Sequence, residues 1–412
     1  MKPLEQAQTE VLAAIRPLPV TALPLPESLG LVLSEPVVAA HDLPPFANSA
    51  MDGYAVRAGD VTAPPVDLVV LEDVPAGSVP TQAVAAGTAI KIMTGAPLPS
   101  GTEAVVRVED TTPGAGTVRI NVAVAAGMSV RPAGGDVAAG SAVFPAGVRL
   151  TPAHLGMLAS LGIARPPVRH RPRVAVMSTG DEIEPPETVV LRPGKIRDSN
   201  RFVLRGLLEE VGAVVIDHGI VGDDPAALNR VLGDAAANAD VVLTSGGVSM
   251  GDYDLVKQEL GRLGTVEFWK VAMQPAKPFA FGSLGGTPLF GLPGNPVSVF
   301  VAFEQFVRPS LLHMMGATAL FRPRVPAVID HDVATDPDKT VFLRTVAAVG
   351  ADGVWRCRSA GGQSSNVLSA LAAATAFAVV PRGVGDVPAG GRVELEMFRY
   401  PETRSYEEVL GG

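Results

Sequence analysis

The sequence predicts a multidomain protein that joins an α/β part to all-β parts. Its 412 residues exceed the usual size of a single domain. Between residues 173 and 318, short apolar runs alternate with helical segments, which is typical of βαβ units and a mostly parallel sheet. Residues 46–144 and the chain after Pro323 instead show short Val- and Ile-rich runs separated by Gly and Pro, which predict all-β structure.

The N-terminal part is predicted to contain two helices that flank the first β region. Apolar side chains recur at helical spacing in residues 4–15. Thr151 and Pro152 have the N-cap and first-turn preferences that begin a second helix, residues 151–161. The three prolines of residues 166–172 then predict a stiff linker. In the β region the predicted strands are 66–71, 88–93, 104–108 and 118–122.

Strands and helices alternate through the next part of the chain. The predicted strands are 174–177, 213–216, 240–243, 266–272, 278–282 and 288–290. The predicted helices between and after them are 200–211, 225–237, 255–263 and 297–315. Beyond Pro323, the predicted strands are 324–330, 340–349, 376–381 and 391–397, which we expect to form a small β barrel or sandwich.

Composition and charge narrow the classes of function. The net charge of -9 disfavours a general nucleic-acid surface, so an anionic ligand would need locally placed Lys or Arg. The single cysteine, Cys357, excludes an intramolecular disulfide and fits a reducing compartment. Residues 1–12 lack the features of a signal peptide, and no apolar run is long enough to predict a membrane span. We therefore expect a cytoplasmic protein with no nucleic-acid or membrane partner.

Three loops that follow strands in the α/β part have the composition of a phosphate site. They are residues 178–182, 244–254 and 291–296. Gly, Ser and Thr in such loops expose backbone N–H groups close to helix N-termini, which favours phosphate. The carboxylates beside them would repel a phosphate unless a divalent cation lay between, so we expect Mg²⁺. Because ligands bind at the carboxyl ends of the strands in open α/β sheets, the three loops predict one shared site.

Six segments of the chain, taken together, resemble one protein family. In chain order they are residues 49–55 (SAMDGYA), 92–97 (IMTGAP), 178–182 (STGDE), 244–254 (TSGGVSMGDYD), 275–280 (PAKPFA) and 291–296 (GLPGNP). Their combination is similar to the molybdopterin molybdotransferases of the MoeA type, which are themselves similar to the E domain of gephyrin. The resemblance covers nearly the whole chain.

The resemblance implies four parts, a homodimer and a reaction. The parts are an elongated, helical N-terminal domain from residues 1–45 and 145–170, an inserted β domain (46–144), an α/β molybdopterin-binding domain (171–318) and a C-terminal β barrel (319–412). The implied reaction is the Mg²⁺-dependent transfer of molybdate to adenylylated molybdopterin, with release of AMP. Other proteins of molybdenum cofactor biosynthesis are then expected among its partners.

In the β domain, the resemblance assigns site roles to four residues. Asp52 is expected to position metal or molybdate, and Thr94 to donate its hydroxyl to the oxyanion. Arg131 is expected to bind the anion, and Asp136 is expected to be a second catalytic carboxylate. From the residues alone, Asp52 and Thr94 could simply form turns, and the other two could lie in a solvated loop.

In the α/β domain, the resemblance assigns Glu182 to the reacting end of the site. Asp254 is the best carboxylate candidate near the AMP phosphate, so the predicted metal ligands are Asp52, Glu182 and Asp254. The predicted substrate-binding residues of this domain are Asp223, Gly246, Gly247, Ser249, Asp254, Lys270, Lys277, Pro293, Gly294, Asn295, Pro296 and Ser298. The residues alone leave structural explanations open, namely helix caps for the acidic residues and strand-edge charges for the lysines.

In the C-terminal barrel, the resemblance places Arg344 and Ser365 at the pterin end of the site. The chain departs from the family pattern at three positions. Gln274 stands where we expect a lysine, Asn366 where we expect a histidine, and Thr375 where we expect an asparagine. The site therefore has fewer local cations than the pattern predicts.

Several alternatives remain open from the sequence. The α/β domain is similar to molybdopterin adenylyltransferases, so adenylyl transfer is one alternative, and a gephyrin-like scaffold without turnover is another. Tungstate could replace molybdate. The predicted carboxylates also fall into two groups far apart in sequence, with the predicted linker of residues 166–172 between them. We therefore expect each active site to combine the β domain of one subunit with the α/β domain of the other, as the resemblance also implies.

Overall fold

The computed structural model describes residues 1–246, 262 and 264–400, and all statements below concern these residues. The α-helices are α1 (Leu4–Ala14), α2 (Pro152–Ser160), α3 (Asn200–Val211), α4 (Pro225–Asn238), α5 (Pro296–Ala302), α6 (Arg308–Met314) and α7 (Leu368–Ala373). Short 3-10 helices lie at Leu25–Ser28, Ala58–Val61 and Val108–Asp110, and a π-helical turn at Phe303–Val307 joins α5 to α6. The predicted helix 255–263 lies largely outside the described residues.

The N-terminal region contains two α-helices and two paired ribbons of strand. Its strands are β1 (Val20–Ala22), β2 (Val37–Val38), β11 (Ala142–Phe144) and β12 (Pro167–Arg169). Thr151 caps α2, with Pro152 in the first turn, as predicted. The predicted linker is wrong in part, because β12 pairs antiparallel with β1 and so ties residues 167–169 to the start of the chain. We predicted a helical N-terminal region, but the region contains fewer helices than that prediction implies.

The first β region forms one six-stranded sheet, and a pair of short strands connects it to the N-terminal region. Its six strands, in spatial order, are β7 (Ala104–Arg107), β4 (Gly53–Val56), β6 (Thr88–Ile92), β5 (Val66–Val74), β9 (Thr117–Ile120) and β8 (Thr111–Pro113). The pairing of β2 with β11 brings the entering and leaving chain side by side. A further short pair, β3 (Asn48–Ser49) with β10 (Val130–Arg131), lies at the edge of this region.

The α/β region is built on a six-stranded sheet within the described part of the chain. In spatial order its strands are β16 (Val214–Val221), β13 (Arg173–Thr179), β17 (Val241–Ser245), β21 (Thr287–Leu292), β20 (Pro278–Leu284) and β18 (Gly264–Lys270). The first four run parallel, and the last two form an antiparallel edge. The central strands are buried and mainly apolar because helices cover both faces of the sheet, and their polar residues lie chiefly at the carboxyl ends. A short parallel pair, β14 (Ile183–Glu184) with β15 (Ile196–Arg197), follows β13.

The C-terminal region is a closed barrel of five strands, which resolves the choice between barrel and sandwich. The strands are β22 (Arg324–Ile329), β23 (Thr340–Val349), β24 (Trp355–Ser359), β25 (Ala376–Val380) and β26 (Arg392–Met397), and β23 closes the barrel by pairing with β25. We predicted no bounds for the strand β24, and the helix α7 was not predicted. The short strand β19 (Met273–Gln274) lies between β18 and β20 in the chain but pairs with the barrel strand β23. It therefore links the α/β region to the barrel. The predicted fold class, α/β combined with β, is confirmed.

One continuous core joins the N-terminal region to the α/β region. It includes apolar side chains of α1, of α3 and of the helix from Pro296 to Met314. Arginine side chains reinforce this junction: Arg149 donates to the backbone oxygens of Gly30 and Val211, and Arg171 donates to those of Leu29 and Gly212. The α/β sheet is therefore held in a fixed position relative to the start of the chain. Within the residues described, no helix is both long and apolar enough to cross a membrane.

Candidate functional site

The carboxyl ends of three parallel strands meet at one cavity. The register pairs Ser178 of β13 with Ser245 of β17, and Ser245 with Leu292 of β21. The loops that follow these strands line a space of about 340 Å³, which we call the strand-end cavity. Its lining includes the predicted residues Glu182, Gly246, Gly294, Asn295 and Pro296. The structure thus brings together two of the three predicted phosphate loops and the described start of the third.

Asn200, which the sequence analysis missed, ties two of these loops together. Its amide nitrogen donates to the Ser245 hydroxyl (2.9 Å) and to the carbonyl of Gly294 (2.7 Å). Its amide oxygen is buried without a hydrogen-bond partner in the described chain. Asn200 is also the first residue of α3, whose N-cap makes no side-chain hydrogen bond. The backbone N–H of Arg201, in the first turn of α3, donates to the Asp198 carboxylate (3.2 Å), so a buried carboxylate satisfies part of this helix end.

A buried carboxylate, also missed, fixes the neighbouring backbone. Asp198 accepts a hydrogen bond from the Ser178 hydroxyl (2.9 Å) and one from Nε of Arg201 (2.9 Å). The guanidinium of Arg201 also forms an ion pair with the carboxylate of Asp217 on β16. The run Asp198, Ser199, Asn200 before a helix could have signalled a cap, but the long-range partners of these residues follow only from the folded chain.

Two glycines in these loops occupy backbone positions that exclude other residues. Gly246 has φ of 95°, and a Cβ there would lie 2.5 Å from the carbonyl oxygen of Thr179. Gly180 has φ of 136°, and a Cβ there would lie 2.4 Å from a carboxylate oxygen of Glu182. The loop backbones therefore approach one another closely, and the Glu182 side chain folds over Gly180. The predicted residues Gly247, Ser249 and Asp254 lie outside the described residues.

Asp223 lies beside Asp181 at the ends of two adjacent strands. The Asp223 N–H donates to a carboxylate oxygen of Asp181 (2.9 Å), and the Asp181 N–H donates weakly to Asp223 in return (3.4 Å). The expectation that Asp223 caps the next helix is wrong, because Asp224 is the N-cap of α4 and accepts from Ala227. A helix-cap role for Asp181 and Glu182 is also excluded, since a strand follows them.

A second cavity adjoins the first on the side of the barrel. It has a volume of about 480 Å³, and we call it the barrel-side cavity. The predicted residues that line it are Lys277, Pro293, Asn295, Ser298 and Ser365, and Asn295 lines both cavities. The backbone N–H of Val297, in the first turn of α5, donates to the carbonyl of Ser365 (3.2 Å). The barrel therefore contacts the N-terminus of α5, where the two cavities meet.

The two predicted lysines have different surroundings. Lys277 is exposed and lines the barrel-side cavity. Lys270 ends β18 opposite Pro278, so it lies one position from Lys277 across the antiparallel pair. The Lys270 side chain does not line either cavity in the described part of the chain. Of the two predicted lysines, only Lys277 therefore lines one of these two cavities.

Arg344 is a buried residue of the barrel strand β23, close to the barrel-side cavity. It is only 1% exposed, and one guanidinium nitrogen donates to the carbonyls of Gly362 (2.8 Å) and Ser364 (3.1 Å). Burial lowers the pKa of Arg344 to about 10. Gln363 fixes the Arg344 backbone, because its side-chain amide pairs with both the N–H and the carbonyl of Arg344. Arg344 lines a further cavity of about 270 Å³, which shares Gln274 and Gln363 with the barrel-side cavity.

The four predicted residues of the β region form a separate group. Asp52 accepts two hydrogen bonds at one oxygen, from the N–H and from the hydroxyl of Thr94, and these lower the pKa of Asp52. Arg131 lies on β10 opposite Asn48, four residues before Asp52. Asp136 is exposed and its backbone N–H donates to Leu43. Within the described chain, none of the four lines the strand-end or barrel-side cavity.

The carboxylates offer oxygen ligands for a divalent cation but form no closed cluster. Among residues 1–246, 262 and 264–400, no group of three or more His, Cys, Asp or Glu is arranged to hold a metal. Mg²⁺ commonly uses only one or two carboxylates, together with waters and substrate phosphates. Glu182 on the strand-end cavity and the second oxygen of Asp52 fit that requirement, so the residues present are compatible with Mg²⁺.

Comparison with known proteins identifies the family. The model for the MoeA N-terminal region (domain I and II) matches residues 2–162. That for a probable molybdopterin binding domain matches residues 175–313, and that for the MoeA C-terminal region (domain IV) matches residues 326–398. The chain is 42% identical to the molybdopterin molybdenumtransferase 2 of Mycobacterium tuberculosis, over 95% of this chain and 97% of that protein. The chain belongs to the MoeA family.

Other members of the MoeA family support the same assignment. The molybdopterin molybdenumtransferase of Haemophilus influenzae is 36% identical over 97% of this chain and 99% of its own length. The crystal structure of the molybdopterin biosynthesis moeA protein from Pyrococcus horikoshii OT3 matches with a TM-score of 0.82 and 30% identity, over 97% of this chain and 100% of that chain. The predicted resemblance is therefore confirmed over nearly the full length.

The three departures from the expected MoeA pattern have distinct locations. Gln274 lines both the barrel-side cavity and the cavity of Arg344, and Asn366 lines the strand-end cavity. Thr375 is buried, and its hydroxyl accepts from the N–H of Ala347 (2.9 Å). Gln274 and Asn366 therefore change the lining of the cavities directly, whereas Thr375 forms a hydrogen bond with the backbone of a barrel strand.

Proposed function

We propose that this MoeA family chain is a molybdopterin molybdotransferase of molybdenum cofactor biosynthesis. It would insert molybdate into adenylylated molybdopterin and release AMP. The observation that carries the proposal is the junction of two cavities at the N-terminus of α5, one lined by strand-end loops and one by Lys277 and barrel serines. The names of the relatives support the same activity.

The two cavities suit the two anionic reactants. In this proposal the loop of residues 291–296, which leads into α5, binds phosphate in the strand-end cavity. Lys277 and the hydroxyls of Ser298 and Ser365 favour an oxyanion in the barrel-side cavity. Holding both reactants at one junction replaces an encounter of two anions in solution by a fixed geometry, which lowers the entropic part of the barrier.

We assign the reaction to positioning and electrostatics. Molybdate and adenylylated molybdopterin are both anions, so their approach is unfavourable unless positive charge offsets it. In this proposal Lys277, Arg131 and backbone N–H groups of the strand-end loops supply that charge, while Glu182 lies at the reacting end. A bound Mg²⁺, held by Glu182, Asp52 and Asp254, would neutralise phosphate charge and stabilise the departing AMP. Cys357 is 1% exposed inside the barrel, which supports a mechanism without a thiol nucleophile.

We further propose that the active protein is a homodimer with four parts per subunit, divided as the resemblance implies. The separation of Asp52, Thr94, Arg131 and Asp136 from the two cavities supports a site completed by a second subunit. In that arrangement, the β domain of one subunit faces the strand-end cavity of the other. The ribbon that carries the β domain supports its treatment as an inserted unit.

The decisive experiment combines purified protein, adenylylated molybdopterin, molybdate and Mg²⁺, with AMP measured over time. We expect AMP release that needs both molybdate and a divalent cation. Omission of molybdate and addition of EDTA are the two controls. AMP release that EDTA leaves unchanged would remove Mg²⁺ from the proposal. Pyrophosphate release from molybdopterin and ATP alone would instead identify an adenylyltransferase, and ligand binding without turnover would identify a binding protein.

A further inference from the structure

The barrel-side cavity contains a second lysine that the sequence analysis did not consider. Lys339 lines this cavity together with Lys277, although the two lie 62 residues apart in the chain. The parallel pairing of β19 with β23 sets Met273 against Thr340 and Gln274 against Val341. Lys339 therefore stands directly before the barrel strand that borders the turn carrying Lys277.

A tight turn fixes the backbone of Lys339. In the segment 336–339, the N–H of Lys339 donates to the carbonyl of Asp336 (3.1 Å), and the N–H of Asp338 donates to the Asp336 carboxylate (2.9 Å). The next residue, Thr340, donates its N–H to the carbonyl of Ala272 (2.9 Å). The turn is thus anchored to the α/β region, so Lys339 has a defined position at the cavity.

The ammonium of Lys339 pairs with Asp336 at 2.6 Å, and the Lys339 side chain is 18% exposed. Asp336 itself does not line the barrel-side cavity. The pKa of Asp336 is lowered, first by the hydrogen bond from Lys339, then by the N–H of Asp338, and more weakly by the charge of Lys277. Both lysines therefore act on one carboxylate, which places their charges in the same electrostatic neighbourhood.

This arrangement differs from an ordinary surface ion pair. Exposed Lys–Asp pairs contribute little to stability, but the Lys339 side chain is largely buried. Lys339 also lines the space that the hydroxyl-bearing residues Ser298, Ser364 and Ser365 line. Gln274, the neutral side chain where a lysine was expected, lines the same space. Lys339 thus brings positive charge into a cavity that lacks it at position 274.

We propose that Lys339 is an oxyanion-binding residue of the barrel-side cavity. It acts with Lys277 on a tetrahedral dianion of the molybdate class and exchanges its ion pair with Asp336 for the bound anion. The identity of the oxyanion as a substrate rests on the proposed function. The binding of the oxyanion by Lys339 does not require turnover and can be tested separately.

The test measures binding of molybdate and of tungstate to the whole protein by calorimetric titration. We expect Lys339→Gln to raise the Kd about tenfold, because it removes one charged contact. Lys91→Gln is the matched control, since Lys91 also pairs with an aspartate, Asp73, at 2.8 Å but lies in the β region. That variant should bind as the parent does. Asp336→Asn should tighten binding two- to fivefold, because it releases Lys339 from its partner.

A rescue variant separates a binding role from a structural one. Gln274→Lys in the Lys339→Gln background restores a cation to the same cavity by a different route. We expect it to return the Kd to within about threefold of the parent value. If Lys339 only maintains the turn, this double variant stays as weak as Lys339→Gln, and the proposal is wrong. Unchanged binding in both Lys339→Gln and Asp336→Asn would also overturn it.

AMP release by the same proteins keeps this inference separate from the proposed function. If the parent binds molybdate through Lys339 but releases no AMP, the inference stands and the proposed turnover fails. If the parent turns over and Lys339→Gln leaves both the Kd and the KM for molybdate unchanged, the proposed function stands and the inference fails.

Discussion

Thr94 donates both its backbone N–H and its hydroxyl to the same carboxylate oxygen of Asp52, each at 2.7 Å. The two hydrogen bonds join loops that are 42 residues apart in the chain and orient a carboxylate that is exposed to solvent. The second oxygen of Asp52 accepts no hydrogen bond from the residues that the structure describes. The Thr94 hydroxyl is therefore bound to Asp52 in this structure. To donate to an oxyanion, as predicted, it would first have to break this hydrogen bond.

Removing the Thr94 hydroxyl should raise the pKa of Asp52. The backbone N–H is the larger cause of the lowered pKa and the hydroxyl the second, so Thr94→Val should reverse the shift only in part. Because the folded-state pKa is depressed, Asp52 favours folding above its unfolded value, and this contribution is lost as the pH falls through the folded value. Carboxyl-detected NMR titration, assigned with Asp52→Asn, measures the shift. Thr94→Ser should keep the parent value, and an identical pKa in Thr94→Val would show that the hydroxyl contributes nothing.

Asn200→Ala should destabilise the strand-end cavity. The change removes hydrogen bonds to Ser245 and Gly294, which together contribute about 1–3 kcal/mol. Urea unfolding gives the free-energy change, and the KM for adenylylated molybdopterin should rise because the two loops are no longer tied. Asn238→Ala is the control, since Asn238 is an exposed helical residue bonded only to Asp234 within the described chain. Equal effects of the two substitutions would argue against a specific role for Asn200.

Gly246→Ala should cost more stability than Gly286→Ala, although the two glycines have almost the same positive φ. Their φ values are 95° and 97°, but a Cβ at Gly246 would meet the Thr179 carbonyl at 2.5 Å, whereas one at Gly286 meets nothing within 4 Å. Left-handed strain is common to both, so the difference isolates the steric clash, about 1–3 kcal/mol. Thermal unfolding of the two variants measures it. Matching melting temperatures would mean that the loops can separate without cost.

Cys357 should be unreactive in the folded protein. Burial, with a smaller effect from Asp330, raises the pKa of its thiol to about 11. Thiol-directed reagents at pH 8 should therefore label the protein only in denaturant. Since the folded pKa is raised, the neutral thiol favours folding below pH 9.0, and this contribution declines as the pH rises toward about 11. Rapid labelling of native protein at pH 8 would show that the barrel opens readily.

Two inactive variants should complement each other if the site is shared between subunits. Asp52→Asn damages the β domain group and Glu182→Ala damages the strand-end cavity. A heterodimer of the two contains one doubly damaged site and one intact site, so it should recover up to about half of the parent rate of AMP release. Light scattering verifies the dimers. Verified heterodimers as inactive as either parent would assign the whole site to one chain.

Several elements followed from the sequence because their signals are local. Helix α3 was predicted at its observed bounds, 200–211, since its apolar periodicity ends at a glycine that adopts the left-handed conformation. The cap of α2 at Thr151 needed only the adjacent Pro152. The convergence of the loops 178–182 and 291–296 also followed, because parallel strands must end on the same edge of their sheet.

Other features depended on contacts between distant residues. The prolines of residues 166–172 suggested a linker, but the free backbone groups of residues 167–169 pair with β1, which no local pattern reveals. Asn200 and Lys339 were missed because each is ordinary in its own segment and gains meaning only from partners that the fold brings near. The sequence determined which strands, helices and loop chemistries this protein has. The tertiary structure decided which side chains share a cavity, because that depends on strand order and register across the whole chain.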